Sequence, residues 1–279
     1  MTNAPRPNAT GTNEPGPKAT ATNEPGTNAP VLVTGGTGTL GSHVLPLLRA
    51  AGRDVRVLTR NARPAADGVS YVTGDLLQDE GTDAAVAGVG TVLHLAGGPK
   101  GDDVATANLV RAARRAGVRH LVHISVIGAD RVPLGYFRAK LGAERAVEGS
   151  GLPYTTLRAA QFHDLALKVA AGMAKLPLVP APGGIRWQPV DSRDVAARLV
   201  ELALDDPAGR VPDLAGPTVY PMAELVRGYL RARGKSRPML PVRVPGKVGR
   251  AYRAGDNLTL AGAETGRRTW ERFLAERVG

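Results

Sequence analysis

The chain has no cysteine among its 279 residues. That excludes disulfides, thiolate metal sites and cysteine nucleophiles together. It fits a reducing compartment, and a cytoplasmic location is expected. Aromatic residues are scarce at 4%, so no stacking platform for single-stranded nucleic acid is visible. No apolar run reaches the roughly 18 residues that would span a bilayer. The first residues lack the basic start and apolar stretch of a secretory signal, and no membrane partner is expected. His94, His120 and His123 fall on strands in no ligand-like spacing, so no metal is expected.

What is present is an ordinary globular composition, 43% hydrophobic and 22% charged, long enough to bury a large core without staples. The net charge is +11. From Arg227 onward thirteen Lys/Arg face only Asp256, Glu264, Glu271 and Glu276. A basic end can attract nucleic acid or anionic lipid. Without interleaved aromatics, solvated arginines are the simpler reading, and nucleic acid is not expected as a partner.

Residues 1–29 are mostly Asn, Thr, Pro, Gly and Ala, with Arg6 and Lys18 balancing Glu14 and Glu24, and carry an imperfect repeat, ATGTNEPGPK at 9–18 and ATATNEPGTN at 19–28. Such a segment buries too little apolar surface to fold, and a disordered tail is expected. From Pro30 the pattern becomes strand, turn, helix, repeated. Strands are expected at 31–33, 55–59, 69–73, 91–95, 121–125 and 154–158. Helices are expected at 41–51, 82–87, 104–116 and 136–148. This alternation implies a Rossmann-type α/β fold, a doubly wound parallel sheet over residues 30–160. After Ala160 the regularity fades. Helices are expected only at about 192–204 (capped by Asp191 or Ser192), 222–233 and 268–277. Residues 161–279 are expected to form a small C-terminal substrate-binding region that completes the same globule.

Thr34-Gly35-Gly36-Thr37-Gly38-Thr39-Leu40-Gly41 follows a strand and opens a helix. Gly35 permits a tight turn, Gly38 lets backbone approach a pyrophosphate, and Gly41 lets the helix pack close to the sheet. The helix N-terminus then offers free N–H groups to phosphate. Thr37, Thr39 and Leu40 belong to this turn. NAD-binding units carry an acidic residue at the end of the second strand. Here that strand ends at Thr59-Arg60, and Asp54 lies at the wrong end. Arg60, helped by Arg63, suits a 2′-phosphate, which favours NADP(H) over NAD(H). Asp75 and Leu76 could meet the adenine. Ala96 and Gly97 could underlie the ribose and nicotinamide.

Tyr136 and Lys140 are four apart on an expected helix and share a face. Ser125 ends the fifth strand at the same sheet edge. A Ser/Tyr/Lys set suits carbonyl reduction: tyrosine donates a proton, lysine lowers the tyrosine pKa and holds the ribose, and serine fixes the carbonyl oxygen. Gln161, His163 and Trp187 are candidates for contact with substrate.

Thr34–Gly41, the Ala96-Gly97 turn and Tyr136-Phe137-Arg138-Ala139-Lys140 resemble the short-chain dehydrogenase/reductase superfamily. Leu152–Arg158 running into Gln161-Phe162-His163-Asp164, the stretch Gln188–Ala196, and Arg268-Thr269-Trp270 are similar to its atypical extended NmrA-like group. The resemblance covers about residues 30–279 and implies a Rossmann-type fold, NADP(H) binding and a C-terminal substrate region. Ser125 and Tyr136 are only eleven positions apart, shorter than usual in that superfamily. The expected function is NADPH-dependent reduction of a carbonyl or activated double bond on a small, fairly apolar molecule. The alternatives are an NADP(H)-sensing regulator and an isomerase or epimerase with a retained cofactor. A monomer or homodimer is expected.

Overall fold

Short apolar runs and glycine-bounded helices do alternate from Val31 onward in the computed structural model, which describes residues 1–2, 29–98 and 100–278. Nearly all of the expected tail lies outside the described residues. The first half runs β1 (Val31–Thr34), α1 (Gly41–Ala50), β2 (Val55–Thr59), β3 (Val69–Thr73), α2 (Thr82–Val86), β4 (Thr91–His94), α3 (Asp102–Arg115), β5 (His120–Val126), α4 (Gly135–Glu148) and β6 (Tyr154–Ala159). The second half runs α5 (His163–Met173), β7 (Val179–Pro182), β8 (Arg186–Trp187), α6 (Ser192–Leu204), β9 (Gly209–Arg210), β10 (Leu214–Ala215), β11 (Tyr220–Pro221), α7 (Met222–Ala232), β12 (Met239–Val242), α8 (Gly246–Ala254), β13 (Glu264–Thr265) and α9 (Trp270–Arg277).

The main sheet is parallel throughout, in the order β13-β10-β6-β5-β4-β1-β2-β3, with β9 also on β6. All seven residues of β5 are buried, as expected of a central strand covered on both faces. One face packs the apolar sides of α1 and α6, including Val44, Leu48, Val195 and Leu199. The other packs α2 and α3 through Ala85, Val86, Leu109 and Ala113. After β3 the chain returns to the far side of β1 to add β4. That reversal opens a crevice at the carboxyl ends of β1 and β4.

Two helices were not expected from the sequence. α5 fully buries only His163, Ala166 and Ala170, while Leu167, Val169 and Met173 pack against the lobe core part-exposed. α8 lies in a stretch that reads as Pro- and Gly-rich. There Pro245 stands just before the helix and Gly255, at φ +85°, stops it, so the breakers bound a helix rather than forbid one. The C-terminal residues also divide their work. α6, β9, β10 and β13 return to the main sheet. α5, α7 and α9 pack into a separate lobe core with Trp187, Trp270 and Phe273. No described helix is long and apolar enough to cross a membrane.

α4 is pinned to the sheet by charge. Arg158 on β6 donates two bonds to Glu144 of α4, at 2.7 and 2.6 Å, and one to Asp130 at 2.7 Å. Arg158 is 3% and Glu144 2% exposed. Burial opposes the guanidinium charge, but Glu144 and Asp130 together hold its pKa above the ordinary value. Breaking one side of such a pair leaves an uncompensated buried charge. Glu144→Gln should therefore lower stability by about 3 kcal/mol in urea unfolding. Combining Arg158→Met with Glu144→Leu should recover most of the loss. A Glu144→Gln protein that unfolds like the parent would show that the pair does not hold α4.

Candidate active site

β1 ends at Thr34, and Gly35 turns the chain with φ +70°. A Cβ on Gly35 would lie 2.7 Å from the Ala96 nitrogen, so only glycine lets the turn close on the end of β4. A Cβ on Gly41 would meet the Gly36 backbone at 2.4 Å, so α1 starts hard against the turn. The amides of Thr39, Leu40 and Gly41 have no backbone acceptor, and α1 has no side-chain cap. A diphosphate is the natural partner of such unpaired N–H groups.

A cavity of about 540 Å³ opens before this turn, lined by Thr34, Gly35, Thr37 and Gly38. Arg60, Asn61 and Arg63 line its β2 side. Asp75 and Leu76 line its β3 side, and Ala96, Gly97, Lys100 and Asp102 its β4 side. Arg60 and Arg63 are exposed, with no ion pair among the described residues. One oxygen of Asp75 accepts from the Leu77 amide at 2.8 Å, which leaves the other for a ligand. Leu76 is 7% exposed and packs into the sheet core. The expected cofactor residues thus gather on one cleft or on the helix start beside it.

The expected catalytic group is arranged differently from the sequence expectation. Lys140 is buried and pairs with Asp102 Oδ2 at 2.8 Å. A Cβ on Gly97 would touch Lys140 Nζ at 2.7 Å, so the ammonium fills the space behind the cavity floor. Lys140 was expected to depress the Tyr136 pKa. Instead it rises to about 12, through burial of the phenol first and then the charges of Asp102 and Tyr252. Asp102 neutralises the lysine. Tyr136 itself is 40% exposed. Ser125 Oγ is buried without a hydrogen-bond partner.

Asp102 was missed from the sequence, as was the hydrogen-bond chain that places it. Thr106 Oγ1 donates to the Asp102 carbonyl at 2.6 Å. The same hydroxyl oxygen accepts from His94 Nε2 at 3.0 Å. His94 Nδ1 is then an acceptor for Thr34 Oγ1 at 2.7 Å, and Thr34 Oγ1 accepts from the Ala96 amide at 3.2 Å. Burial, with Lys140 adding, lowers the His94 pKa to about 3. His123, stacked on it at 5.6 Å, is also held well below the usual value by burial.

His163 and Trp187, expected to contact substrate, are both buried. His163 is fully buried between Trp270 and Phe273, with Nδ1 3.7 Å from Asp191 Oδ2. Trp187 is 9% exposed inside the lobe core. The reason is shared: the lobe needs large apolar rings at its centre, and these are among the few the chain has. Gln161 is half-buried, its Oε1 unpartnered. Among the described residues no cluster of metal-ligating side chains is found.

This glycine turn, cleft and parallel sheet define a dinucleotide-binding protein of Rossmann type. Residues 35–206 match the NAD(P)H-binding family, and the chain belongs to that family. It is 31% identical over 219 residues to an NAD(P)H azoreductase of Xenophilus azovorans, covering 74% of each chain. It is 32% identical over 212 residues to a (4-alkanoyl-5-oxo-2,5-dihydrofuran-3-yl)methyl phosphate reductase of Streptomyces griseus, again covering 74% of each. Its fold matches an NADPH-dependent quinone oxidoreductase of Escherichia coli complexed with NADPH, with a TM-score of 0.75 at 20% identity. That match covers 88% of this chain and 99% of that one. These matches support the extended dehydrogenase-like group broadly and do not single out its NmrA-like branch.

The buried neutral histidines make the site acid-labile. A histidine whose pKa is lowered on folding binds fewer protons than the unfolded chain, so stability is lost as pH falls below the unfolded value. For His94 the window runs from about 6.5 down to about 3. By pH 4.5 that residue alone should cost roughly 2–3 kcal/mol, read as a falling urea midpoint. His94→Asn should be less stable at neutral pH but lose less on acidification. An equal slope in the variant would remove His94 as the cause.

Proposed function

We propose that this NAD(P)-dependent oxidoreductase uses NADPH to reduce a small, fairly apolar acceptor in which the reacting carbonyl or double bond is conjugated and electron-poor. The observation that carries the proposal is the Lys140–Asp102 pair. Hydride addition to an isolated ketone leaves an alkoxide with its charge on one oxygen. An active site for that reaction gains from a nearby unneutralised cation and an acidified phenol. A conjugated acceptor spreads the charge, and its reduced anion needs far less help. With Lys140 neutralised, Tyr136 stays protonated and acts as a neutral hydrogen-bond donor. Relatives named as an azoreductase and a quinone oxidoreductase point to acceptors of this kind.

The residues present fit the cofactor. The unpaired amides at the start of α1 would hold the diphosphate, Arg60 the 2′-phosphate and Asp75 the adenine amine. Gly97 would let Lys140 lie directly behind the ribose. When bound, the cofactor supplies the hydride. The protein's part is to orient the acceptor against the Ala96–Gly97 floor, donate the Tyr136 hydrogen bond, and keep Lys140 screened from the reacting atoms. Residues 161–279 would supply the far wall of the substrate space.

Purified protein should oxidise NADPH with a simple quinone and show no turnover with an unconjugated ketone such as cyclohexanone. Equal turnover of both would overturn the reading. No NADPH oxidation with any conjugated acceptor would favour a sensing role instead.

Arg60→Ala should weaken NADPH about ten- to a hundredfold, the range of a lost charge-assisted pair. NADH should be nearly unaffected. Equal weakening of both cofactors would sink the assignment of Arg60.

Asp102→Asn removes a negative charge that raises the Tyr136 pKa and frees Lys140 to lower it. The parent kcat profile should show no tyrosine limb below about pH 10. The variant's tyrosine limb should move to lower pH than the parent's, and adding Tyr136→Phe should abolish it. A variant profile identical to the parent would mean Asp102 does not govern Tyr136.

A further inference from the structure

The strongest feature outside the cleft lies on the C-terminal lobe. Residues 225–255 carry nine Lys/Arg and no Asp or Glu. Eight of the nine are exposed, and none forms an ion pair among the described residues. The nearest acids in sequence, Glu224 and Asp256, stand outside the run, before and after it.

An apolar edge lies within this field. β7 and β12 pair only with each other, as a two-stranded parallel ribbon. Val179 and Ala181 turn inward and are buried. Leu240 stands opposite Pro180 on the outer side, and the Val179 amide bonds the Pro238 carbonyl at 3.0 Å. Leu178 therefore lies beside the 237–240 segment. Leu176, Leu178 and Leu240 are 45%, 46% and 48% exposed. Lys175, Lys235, Arg237 and Arg243, all exposed, flank them in the two segments.

We propose that this face docks on an anionic lipid bilayer, with the leucines entering the interface and the cations over the headgroup phosphates. Exposed leucine flanked by cations without ion pairs is the composition a charged interface selects. A single-stranded nucleic acid would call for exposed rings to stack on, and the aromatics of this region, Tyr229 and Tyr252, pack against the lobe core. The proposal departs from the sequence-level expectation of no membrane partner. It is independent of the redox reading, since none of these residues lines the cofactor cleft.

The test is co-sedimentation of the full chain with vesicles of phosphatidylcholine alone, or containing about one-third phosphatidylglycerol, at low and high salt. Binding is expected only to the anionic vesicles and should weaken as salt rises. Each surface cation contributes about fivefold. Lys235→Ser, Arg237→Ser and Arg243→Ser together should therefore weaken binding about a hundredfold, with unchanged thermal unfolding and NADPH oxidation. Leu178→Ser with Leu240→Ser should remove the part of the binding that resists salt. No retention on anionic vesicles, equal retention on neutral ones, or tighter retention by single-stranded RNA than by anionic vesicles would each overturn the proposal.

Discussion

Thr34 stands where the order of the sheet reverses, and its hydroxyl ties the two sides of that reversal together. It donates to His94 Nδ1 at the end of β4 and accepts from the Ala96 amide just beyond. His94 passes the constraint through Thr106 to the Asp102 carbonyl. Each member has its donors and acceptors used in one sense only, so the chain has no alternative arrangement while His94 is neutral. Burial keeps it neutral. The crevice of a doubly wound sheet would otherwise be a gap between diverging strands; here it has a fixed floor.

The same chain reaches the start of α3, since Thr106 and the Asp102 carbonyl both belong to its first turns. Asp102 and Asp103 open that helix behind Gly101, at φ +79°. Their charges favour the helix N-terminus, but Asp102 also points back to the Gly98 amide and across to Lys140. Two charges taken out of water stabilise little between them. What they contribute is position. With its ammonium held behind Gly97, Lys140 supports the floor of the cleft instead of raising its positive potential. Arg158 and Glu144 fix α4 at the next strand along, so both members of the Tyr136/Lys140 pair stand on a helix that cannot easily tilt.

How much of this was legible in the sequence follows from how local each signal is. The glycine turn, Arg60 after β2 and the alternating strands all declare themselves within a few residues. So does the Tyr136/Lys140 spacing, since i and i+4 on a helix share a face. The partner of Lys140 was not legible. Asp102 is 38 residues away in sequence and reaches it only because α3 and α4 pack side by side across the sheet face. The burial of His163 and Trp187 was not legible for a related reason. They stand where chain order would put substrate contacts, yet a lobe poor in aromatics draws its few rings inward. Gly249 inside α8 concealed a helix because a glycine's packing role cannot be read from its neighbours in sequence. There a Cβ would meet the Val244 carbonyl at 2.0 Å.

The use of those rings constrains where substrate selectivity resides. The lobe is made of two stretches, 161–190 and 216–263, separated by the passage of α6, β9 and β10 through the main domain. It is closed by α9, whose Trp270 and Phe273 enclose His163. Asp191, held ionised by Arg193 despite its burial, caps α6 and sits against His163 at this junction. The junction is therefore a lock, and its aromatic residues have no surface left for a ligand. What the lobe does bring toward α4 is Tyr252 on α8. It packs against the cluster of Val126, Val132 and Phe137 and is close enough to raise the Tyr136 pKa. Selectivity should then vary with α8 and the 129–134 loop more than with the histidine that chain order suggests. The basic run that carries α8 also carries the exposed Leu240, so part of the lobe's outward chemistry and its reach toward the site come from one segment.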